Sequence, residues 1–351
     1  MFTAIGSPRQ GLVSIYKGTC KNQCKIAELS GSKNFGKAVT VNSCPTNTGW
    51  VIGAGDSTVA GSATFYPNEC LGICLQPTES QVGDLYGSSV ALYQDSIAVG
   101  APKAKTVSLF CTQTGCQVLE PRQTLTGPES FGTSVVLGCK ILAVGSPHCN
   151  SVFIYEKGEK WIQVAKLTGC GQFGMSLALH QVKGQWTLVV GAPNENAPFT
   201  KQQGFVYVYQ QVNHCWVQKQ KLRASDPASF GHFGASVALS EKYLVVGAPG
   251  NKGVICTSGA AYLFQPSWCP SFCGDWKETT KLLACDGQGG DLFGTSVDIS
   301  CDTFAVGAPK RDAVYLYTVH LAVFCSETKQ CTKILAATLE PAFFGAAVAI
   351  H

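Results

Sequence analysis

Cysteines are the residues of this chain best suited to form covalent bonds with one another. The sequence has 18 of them, an even number and far above ordinary usage, which is typical of proteins that form disulfides in an oxidising compartment. Five pairs are close in sequence: Cys20 and Cys24, Cys70 and Cys74, Cys111 and Cys116, Cys269 and Cys273, and Cys325 and Cys331. Such spacing suits a disulfide across a tight hairpin. Zinc binding is the alternative, although it normally needs a second pair nearby in space.

A serine nucleophile with a histidine base is the next chemistry to consider. Gly55-Asp56-Ser57 superficially resembles the nucleophile block of some esterases, but a nucleophile needs a base within hydrogen-bond reach and an oxyanion hole. A strand rather than a helix is predicted after this triplet, which favours an ordinary turn. The histidines share no repeat position and no helical metal-binding spacing: His148, His180, His214, His232, His320 and His351. We therefore predict that the chain is not an enzyme and has no cofactor.

The elements that would position such residues repeat along the chain. A Phe-Gly or Tyr-Gly pair occurs seven times, at Phe35-Gly36, Tyr86-Gly87, Phe131-Gly132, Phe173-Gly174, Phe233-Gly234, Phe293-Gly294 and Phe344-Gly345. A Gly-Ala-Pro-like triplet also occurs seven times, beginning at Gly6, Gly53, Gly100, Gly145, Gly191, Gly247 and Gly307. Residues 233–249 illustrate the unit, with an alternating strand, a polar turn and an unbroken apolar strand that ends in the triplet.

Two further strands follow each triplet. The first is aromatic and β-branched, as in residues 205–209, and the second is more polar, as in residues 216–222, with lysines that discourage edge pairing. Each unit leaves no room for a helix. Seven such units predict an all-β fold, a seven-bladed β-propeller of four-stranded antiparallel blades, as a single domain over residues 1–351. A β-sandwich or a linear solenoid is the alternative.

The two ends of the chain are complementary. Residues 344–351 form a first strand without a second, whereas residues 2–8 form a second strand without a first. We therefore predict that the ring closes by pairing of the N- and C-terminal strands. The same strands could instead complete a neighbouring molecule by domain swapping.

Composition limits the classes of function. Apolar residues make up 45% and charged residues 14% of the sequence, which indicates a globular chain with an ample core. The net charge of +4 is spread thinly, so we expect no nucleic-acid partner. No apolar stretch approaches the roughly 18 residues of a membrane-spanning helix. Because the cysteines indicate an oxidising compartment and the N-terminus lacks a signal-peptide pattern, we predict an extracellular or cell-surface chain excised from a longer precursor.

The seven paired motifs resemble the FG-GAP repeats of the seven-bladed propeller at the head of integrin alpha subunits, and the resemblance covers essentially the whole chain. It implies an extracellular adhesion module. Calcium-binding members of that family carry an Asp-rich loop between the first and second strands, whereas the corresponding turns here, such as residues 240–242, lack the several oxygen ligands that calcium requires. Asp298 and Asp302 lie in one such region, where a solvated turn explains both. We therefore predict no metal site.

The blade arrangement divides the cysteines between the two faces of the disc. The five close pairs fall in hairpins between third and fourth strands. On the opposite face, the repeat places Cys149 with Cys170 and Cys256 with Cys285, which predicts two further disulfides. Four cysteines remain, all in turns on the face of the close pairs: Cys44, Cys139, Cys215 and Cys301. The middle two could meet in adjacent blades, and the outer two are candidates for a bond between molecules.

The loops on the face opposite the close pairs form the predicted recognition surface, because loops on a rigid scaffold commonly bind partners. Two of these loops are long, and they bring polar residues onto neighbouring blades: Asn194, Glu195, Asn196, Lys201, Gln202, Asn251 and Lys252. We predict a non-catalytic extracellular interaction module that binds a protein partner through this face. A structural subunit of a cell-surface filament, built from like subunits, and a carbohydrate-binding lectin are the alternatives.

Overall fold

The computed structural model describes residues 1–18, 23–32, 34–44, 47–56, 60–67, 72–79, 81–112, 118–182, 184–253, 258–267, 275–318, 330–335 and 343–350. Side chains are described over the same ranges except at 42–44, 47–48, 182 and 330–335. Within these ranges the chain forms 29 strands and a single turn of 3-10 helix at Pro147–Cys149. That turn is too short to cross a membrane, and no other helix occurs in the described ranges.

The strands form seven sheets, numbered here as blades in chain order. Blade 1 contains β1 (Phe2–Ser7), β2 (Leu12–Gly18) and β3 (Gln23–Ser30), and blade 2 contains β4 (Ala38–Cys44), β5 (Asn47–Ala54), β6 (Ser62–Pro67) and β7 (Ile73–Leu75). Blade 3 contains β8 (Ser89–Tyr93), β9 (Ser96–Ala101), β10 (Thr106–Cys111) and, after a short β11 (Val118–Leu119), β12 (Gln123–Thr126). Blade 4 contains β13 (Ser134–Leu137), β14 (Ile141–Ser146), β15 (Ser151–Lys157) and β16 (Trp161–Thr168).

Blade 5 contains β17 (Ser176–Val182), β18 (Gln185–Ala192), β19 (Phe205–Val212) and β20 (Cys215–Leu222). Blade 6 contains β21 (Ser236–Leu239), β22 (Leu244–Ala248), β23 (Ala260–Pro266) and β24 (Trp276–Leu282). Blade 7 contains β25 (Ser296–Ser300), β26 (Thr303–Ala308), β27 (Ala313–Thr318) and β28 (Gln330–Leu335). The last strand, β29 (Ala347–Ile350), returns to blade 1.

The first strand of every blade faces a common axis. Strands β4, β8, β13, β17, β21, β25 and β29 contact one another in that order, and β29 contacts β4. The ring closes within blade 1, where β29 pairs antiparallel with β1 and Thr3 lies opposite Ile350. The predicted seven-bladed propeller and its closure by the two terminal strands are therefore confirmed.

Blade 2 departs from the predicted four antiparallel strands. Strand β11, which follows the third strand of blade 3, pairs in parallel with β7, and Val118 lies opposite Cys74. Strand β7 has only three residues and would leave unpaired backbone groups along its outer edge. The added strand covers that edge, and Leu75 and Leu119 are both buried beside it.

The Phe-Gly and Gly-Ala-Pro motifs meet where two blades join. A Cβ atom on Gly247 would lie 2.0 Å from the carbonyl oxygen of Gly294 in the next blade, a separation that no side chain tolerates. Gly294 itself has a φ of +91°, which favours glycine. The Ser236 hydroxyl donates a hydrogen bond of 2.9 Å to the same Gly294 carbonyl. The repeated glycines therefore allow adjacent blades to approach closely.

The serine hydrogen bond recurs around most of the ring. Equivalent bonds of 2.7 to 2.9 Å join five blades to the next, from Ser89, Ser134, Ser176, Ser236 and Ser296. Blades 1 and 2 have Ala347 and Ala38 at this position. Four motif phenylalanines, Phe131, Phe173, Phe233 and Phe293, are buried against aromatic residues of the third strand. Phe233, for example, meets Tyr262 edge to face with ring centroids 5.6 Å apart. These contacts fill the space between blades.

Candidate functional site

The loop face is the end of the propeller that carries the turns between second and third strands, such as 193–204 and 249–253, and the segments between blades, such as 223–235. Two residues predicted to bind a partner hold these loops in place. Asn194 Oδ1 lies 3.0 Å from His232 Nδ1 in the next inter-blade segment. Asn251 is 1% exposed, and its amide donates hydrogen bonds to the Tyr262 hydroxyl and the Asp226 carbonyl. Both side chains are therefore part of the scaffold.

Glu195 also acts within the scaffold. Its carboxylate accepts a hydrogen bond of 2.8 Å from the Tyr207 hydroxyl and one of 2.6 Å from Lys221 Nζ. Burial, and then the adjacent Glu195 charge, raise the pKa of Tyr207 above its usual range. Since both carboxylate oxygens already have donors, Glu195 is poorly suited to bind an external partner.

The other predicted residues lie nearer to solvent. Asn196, Lys201 and Lys252 are exposed. Asn196 Oδ1 accepts a hydrogen bond of 2.8 Å from the Gln202 backbone N–H, which closes the turn. The inter-blade segment 223–235 lies between the two predicted loops, because Phe230 N–H donates to the Lys201 carbonyl at 2.7 Å and Gly250 N–H donates to the Gly231 carbonyl at 3.2 Å. Part of the second loop, residues 254–257, falls outside the described residues.

Two aromatic residues that the sequence patterns did not single out project from this surface. Phe199 is 99% exposed and Phe230 is 55% exposed. Phe230 has a φ of +61°, a conformation that is uncommon for a bulky residue. Gly250 permits it, because a Cβ atom there would lie 1.8 Å from the Phe230 carbonyl oxygen. The one available signal was that both phenylalanines fall in loops, outside any strand alternation.

Two further carboxylates on the loop face are bonded like Glu195. Asp226 accepts hydrogen bonds from the Tyr262 hydroxyl and Lys281 Nζ, both at 2.6 Å. Asp286 accepts bonds from the Tyr315 hydroxyl at 2.7 Å and from Arg311 at 3.2 Å. Burial raises the pKa of Asp226, but the bonds from Lys281 and Tyr262 outweigh it and leave that pKa below its ordinary value. Asp226 and Asp286 therefore pair with cationic side chains of the protein itself.

The Asp298 carboxylate has a different environment from the one expected. It lies in β25 rather than in a solvated turn, and it accepts hydrogen bonds from the N–H groups of Ile299 at 2.9 Å and Ile350 at 2.8 Å. Burial raises the pKa of Asp298 to about 6, although the two bonds oppose that shift. The solvated-turn interpretation is therefore wrong for Asp298, because the ring closure brings the C-terminal strand against it. Among the described residues, no group of three or more His, Cys, Asp or Glu could hold a metal.

The cysteine pairings remain predictions. Cys149 and Cys170 are both described and exposed, and no bond joins them in the structure. Their backbones continue the β15–β16 register, since Ser151 lies opposite Thr168 and Gly169 N–H donates to the Asn150 carbonyl. In each other predicted pair, at least one partner lies outside the described residues or side chains: Cys20, Cys70, Cys116, Cys256, Cys269, Cys273, Cys325 and Cys331. Of the four remaining cysteines, Cys139, Cys215 and Cys301 carry no disulfide, and the Cys44 side chain lies outside the described part.

Comparisons with known proteins support the repeat assignment. The model of the FG-GAP repeat family matches residues 216–264 and 276–317. No curated protein matches the chain in sequence. A solved structure of a candidate 6-phosphogluconolactonase from Bacteroides fragilis superposes with a TM-score of 0.66 at 10% identity, over 99% of this chain and 96% of that one. A second, from Bacteroides uniformis, gives 0.65 at 12% identity, over 95% and 96%. The chain is a seven-bladed β-propeller that carries FG-GAP repeats.

Proposed function

We propose that this protein is a non-catalytic extracellular interaction module that binds a protein partner through the loop face, with Phe199 and Phe230 at the centre of the contact. The observation that carries the proposal is the exposure of two phenylalanines on neighbouring loops, at 99% and 55%. Phe230 N–H donates to the carbonyl of Lys201, two residues after Phe199. Large exposed apolar groups that lie close together are typical of binding surfaces.

The physical properties of this surface suit protein recognition. Aromatic side chains contribute large contact area and are enriched among the residues that dominate binding energy. The loops that carry them are held by hydrogen bonds to the scaffold, such as the 3.0 Å contact of Asn194 with His232, so little ordering entropy is lost on binding. Lys201 and Lys252 would supply a charged rim around the aromatic centre.

An extracellular location is supported by the FG-GAP repeats and by the 18 cysteines of the chain. The fold alone does not indicate whether the protein is an enzyme, because one fold hosts many activities. The proposed non-catalytic role therefore rests on the residues of the loop face. The names of the two structural neighbours give this chain no activity at 10% and 12% identity.

Affinity capture with matched variants tests the proposal. Wild-type protein, F199S/F230S and a control I162S/V164S are used as baits on material from the source organism. Ile162 and Val164 are 65% and 45% exposed on β16, an outer strand. Any protein retained by wild type is purified and its Kd measured for all three baits. We expect at least a tenfold weaker Kd, about 1.4 kcal/mol, for F199S/F230S and little change for the control. Equal loss in both doubles would contradict the proposed surface.

The alternatives give different results in the same preparation. A filament subunit would self-associate, which sedimentation of the purified chain over a range of concentrations would reveal. A lectin would retain glycans on an array, and that binding would survive F199S/F230S unless the phenylalanines stack on sugar rings. Retention of a single protein by a monomeric chain supports the interaction module.

A further inference from the structure

An open cavity of about 510 Å³ lies on the loop face, across blades 2 to 5. Its titratable lining residues are Lys37, Lys103, Lys105, Glu129 and His148. Its volume falls within the range of small-molecule sites. Phe199 and Phe230 lie on loops of blades 5 and 6, whereas most of the cavity lining comes from blades 2 to 4, so the cavity is a separate feature of the same face.

The cavity has an excess of positive charge. Lys37, Lys103 and Lys105 form no ion pair with any described carboxylate. Lys37 Nζ donates only a long hydrogen bond of 3.3 Å, to the Gly55 carbonyl. Glu129 is the one acid in the lining, and its Oε1 lies 3.5 Å from His148 Nδ1. Ammonium groups concentrated in a concave site attract anions.

Backbone hydrogen bonds fix the turn that carries two of the lysines. Residues 102–105 connect β9 to β10, and Lys103 N–H donates to the Asp84 carbonyl at 3.2 Å. The Lys105 carbonyl accepts the Gly127 N–H at 3.0 Å. Both side chains therefore start from fixed positions at one wall of the cavity, and the approach of their like charges costs energy unless an anion offsets it.

The rest of the lining suits an organic anion. Ser130 supplies a hydroxyl group whose Oγ is positioned by a 2.9 Å hydrogen bond from His148 N–H. The Thr133 hydroxyl donates to the Ser130 carbonyl at 2.7 Å and so helps to fix this wall. Leu85, Pro102 and Met175 provide apolar surface. Ammonium and hydroxyl donors match the oxygens of a phosphate or sulfate group, and the apolar side chains match a carbon skeleton attached to it.

We propose that this cavity binds a small organic anion that carries a phosphate or sulfate group. The lysines bind the oxyanion, and the apolar side chains contact the organic part. Glu129 opposes the ligand charge and lowers the affinity. Neutralising Glu129 should therefore strengthen binding, whereas neutralising Lys103 and Lys105 should weaken it.

Calorimetric titration with defined probes tests the proposal. The probes are inorganic phosphate, inorganic sulfate and phenyl phosphate, and the proteins are wild type, K103Q/K105Q, E129Q and a control K160Q/K219Q. Lys160 and Lys219 are exposed on blades 4 and 5, outside the cavity lining. The control removes the same two charges, so it corrects for the general field of the protein.

We expect K103Q/K105Q to bind phenyl phosphate at least tenfold more weakly than wild type, and the control to change affinity less than threefold. We expect E129Q to bind several-fold more tightly. Phenyl phosphate should bind more tightly than inorganic phosphate or sulfate, and all affinities should fall as salt is added.

Three outcomes would overturn the proposal. The first is no measurable binding of any probe by wild type. The second is an equal loss of affinity in K103Q/K105Q and the control, which would indicate a general charge effect. The third is weaker binding by E129Q. Equal affinities for phenyl phosphate and inorganic phosphate would exclude the organic part of the ligand.

Discussion

The two halves of the loop face use charge in different ways. In blades 5 to 7, the paired half, Glu195, Asp226 and Asp286 each accept a tyrosine hydroxyl and a cationic side chain. In blades 2 to 4, the lysine half, Lys103 and Lys105 have no such carboxylate within the described residues. The paired half uses its charges to join loops to blades, whereas the lysine half leaves them available to a ligand.

One register position accounts for the difference. In every blade the glycine of the Gly-Ala-Pro motif lies opposite one residue of the third strand, and the position of interest is the next residue along that strand. In the paired half it is Tyr207, Tyr262 or Tyr315. In blades 2 to 4 the equivalent residue is Thr64, Ser108 or Phe153. Each of these three tyrosine hydroxyls donates to a carboxylate of the loop face. In blade 1 the equivalent residue is Ser14, whose hydroxyl donates instead to Glu28 of β3 at 3.5 Å. The backbone register is therefore the same in both halves, and the tyrosine at this position supplies the hydroxyl that bonds the loop carboxylate in the paired half.

The largest expected effect comes from removing a carboxylate of the paired half. D226A leaves the buried Tyr262 hydroxyl without this acceptor, and we expect a loss of about 2 kcal/mol in the free energy of unfolding. The pair with Lys281 adds little, because the Asp226 side chain is 48% exposed. Urea denaturation of purified protein measures it. E129A, in the lysine half, is the matched control and should cost less than about 0.5 kcal/mol, because Glu129 is well exposed. Equal losses would remove the distinction between the halves.

Asp298 extends the comparison to a half-buried carboxylate whose described hydrogen bonds come from backbone N–H groups rather than from a cation. Its pKa is raised from 3.8 to about 6, so the folded state binds this proton more tightly than the unfolded state does. Protonation therefore stabilises the fold, and this contribution is lost as pH rises from about 4 through 6. We expect a loss of about 2 kcal/mol over that interval.

The measurement for Asp298 is the free energy of unfolding at several pH values, for wild type and D298N. The variant does not titrate, so the difference between the two curves isolates this group. Asp226 contributes with the opposite sign, because its lowered pKa adds stability that disappears only in stronger acid. Parallel curves from pH 4 to pH 7 would show that the Asp298 pKa is not raised.

A smaller effect is expected from the tyrosine itself. Y262F removes one hydroxyl that donates to Asp226 but keeps the ring packed against Phe233. We expect a loss of about 1 kcal/mol. S108A, at the equivalent position of blade 3, is the control for the lysine half. Thermal unfolding of both variants compares them, and a larger loss in S108A would contradict the role assigned to the tyrosine.

The smallest effect is expected in the lysine half. K103Q/K105Q should change the free energy of unfolding by less than about 0.5 kcal/mol, since exposed lysines without ion pairs contribute little to stability. Denaturation in urea at low salt measures it. A loss of 1 kcal/mol or more would indicate that these lysines serve the fold, as those of the paired half do.

Much of the fold could be predicted from the sequence, but little of the candidate site could. The seven motif pairs predicted the blades, and the complementary ends predicted the pairing of β1 with β29. Strand β11 was not predicted, because two residues carry no periodicity and its partner lies in another blade. Asn251 is a polar loop residue of a type that often binds partners, yet it is buried and its amide donates a hydrogen bond to the Tyr262 hydroxyl. No local pattern reveals which polar side chains the scaffold has already engaged.

The sequence by itself determined the repeat, the ring and the places where only glycine allows blades to meet, because strand alternation and close backbone approach are written in consecutive residues. Only the tertiary structure decided which side chains remain accessible. Hydrogen bonds and burial between distant segments placed Glu195 and Asn251 in the scaffold and left Phe199 and Phe230 in solvent. They also left Lys103 and Lys105 beside an open cavity.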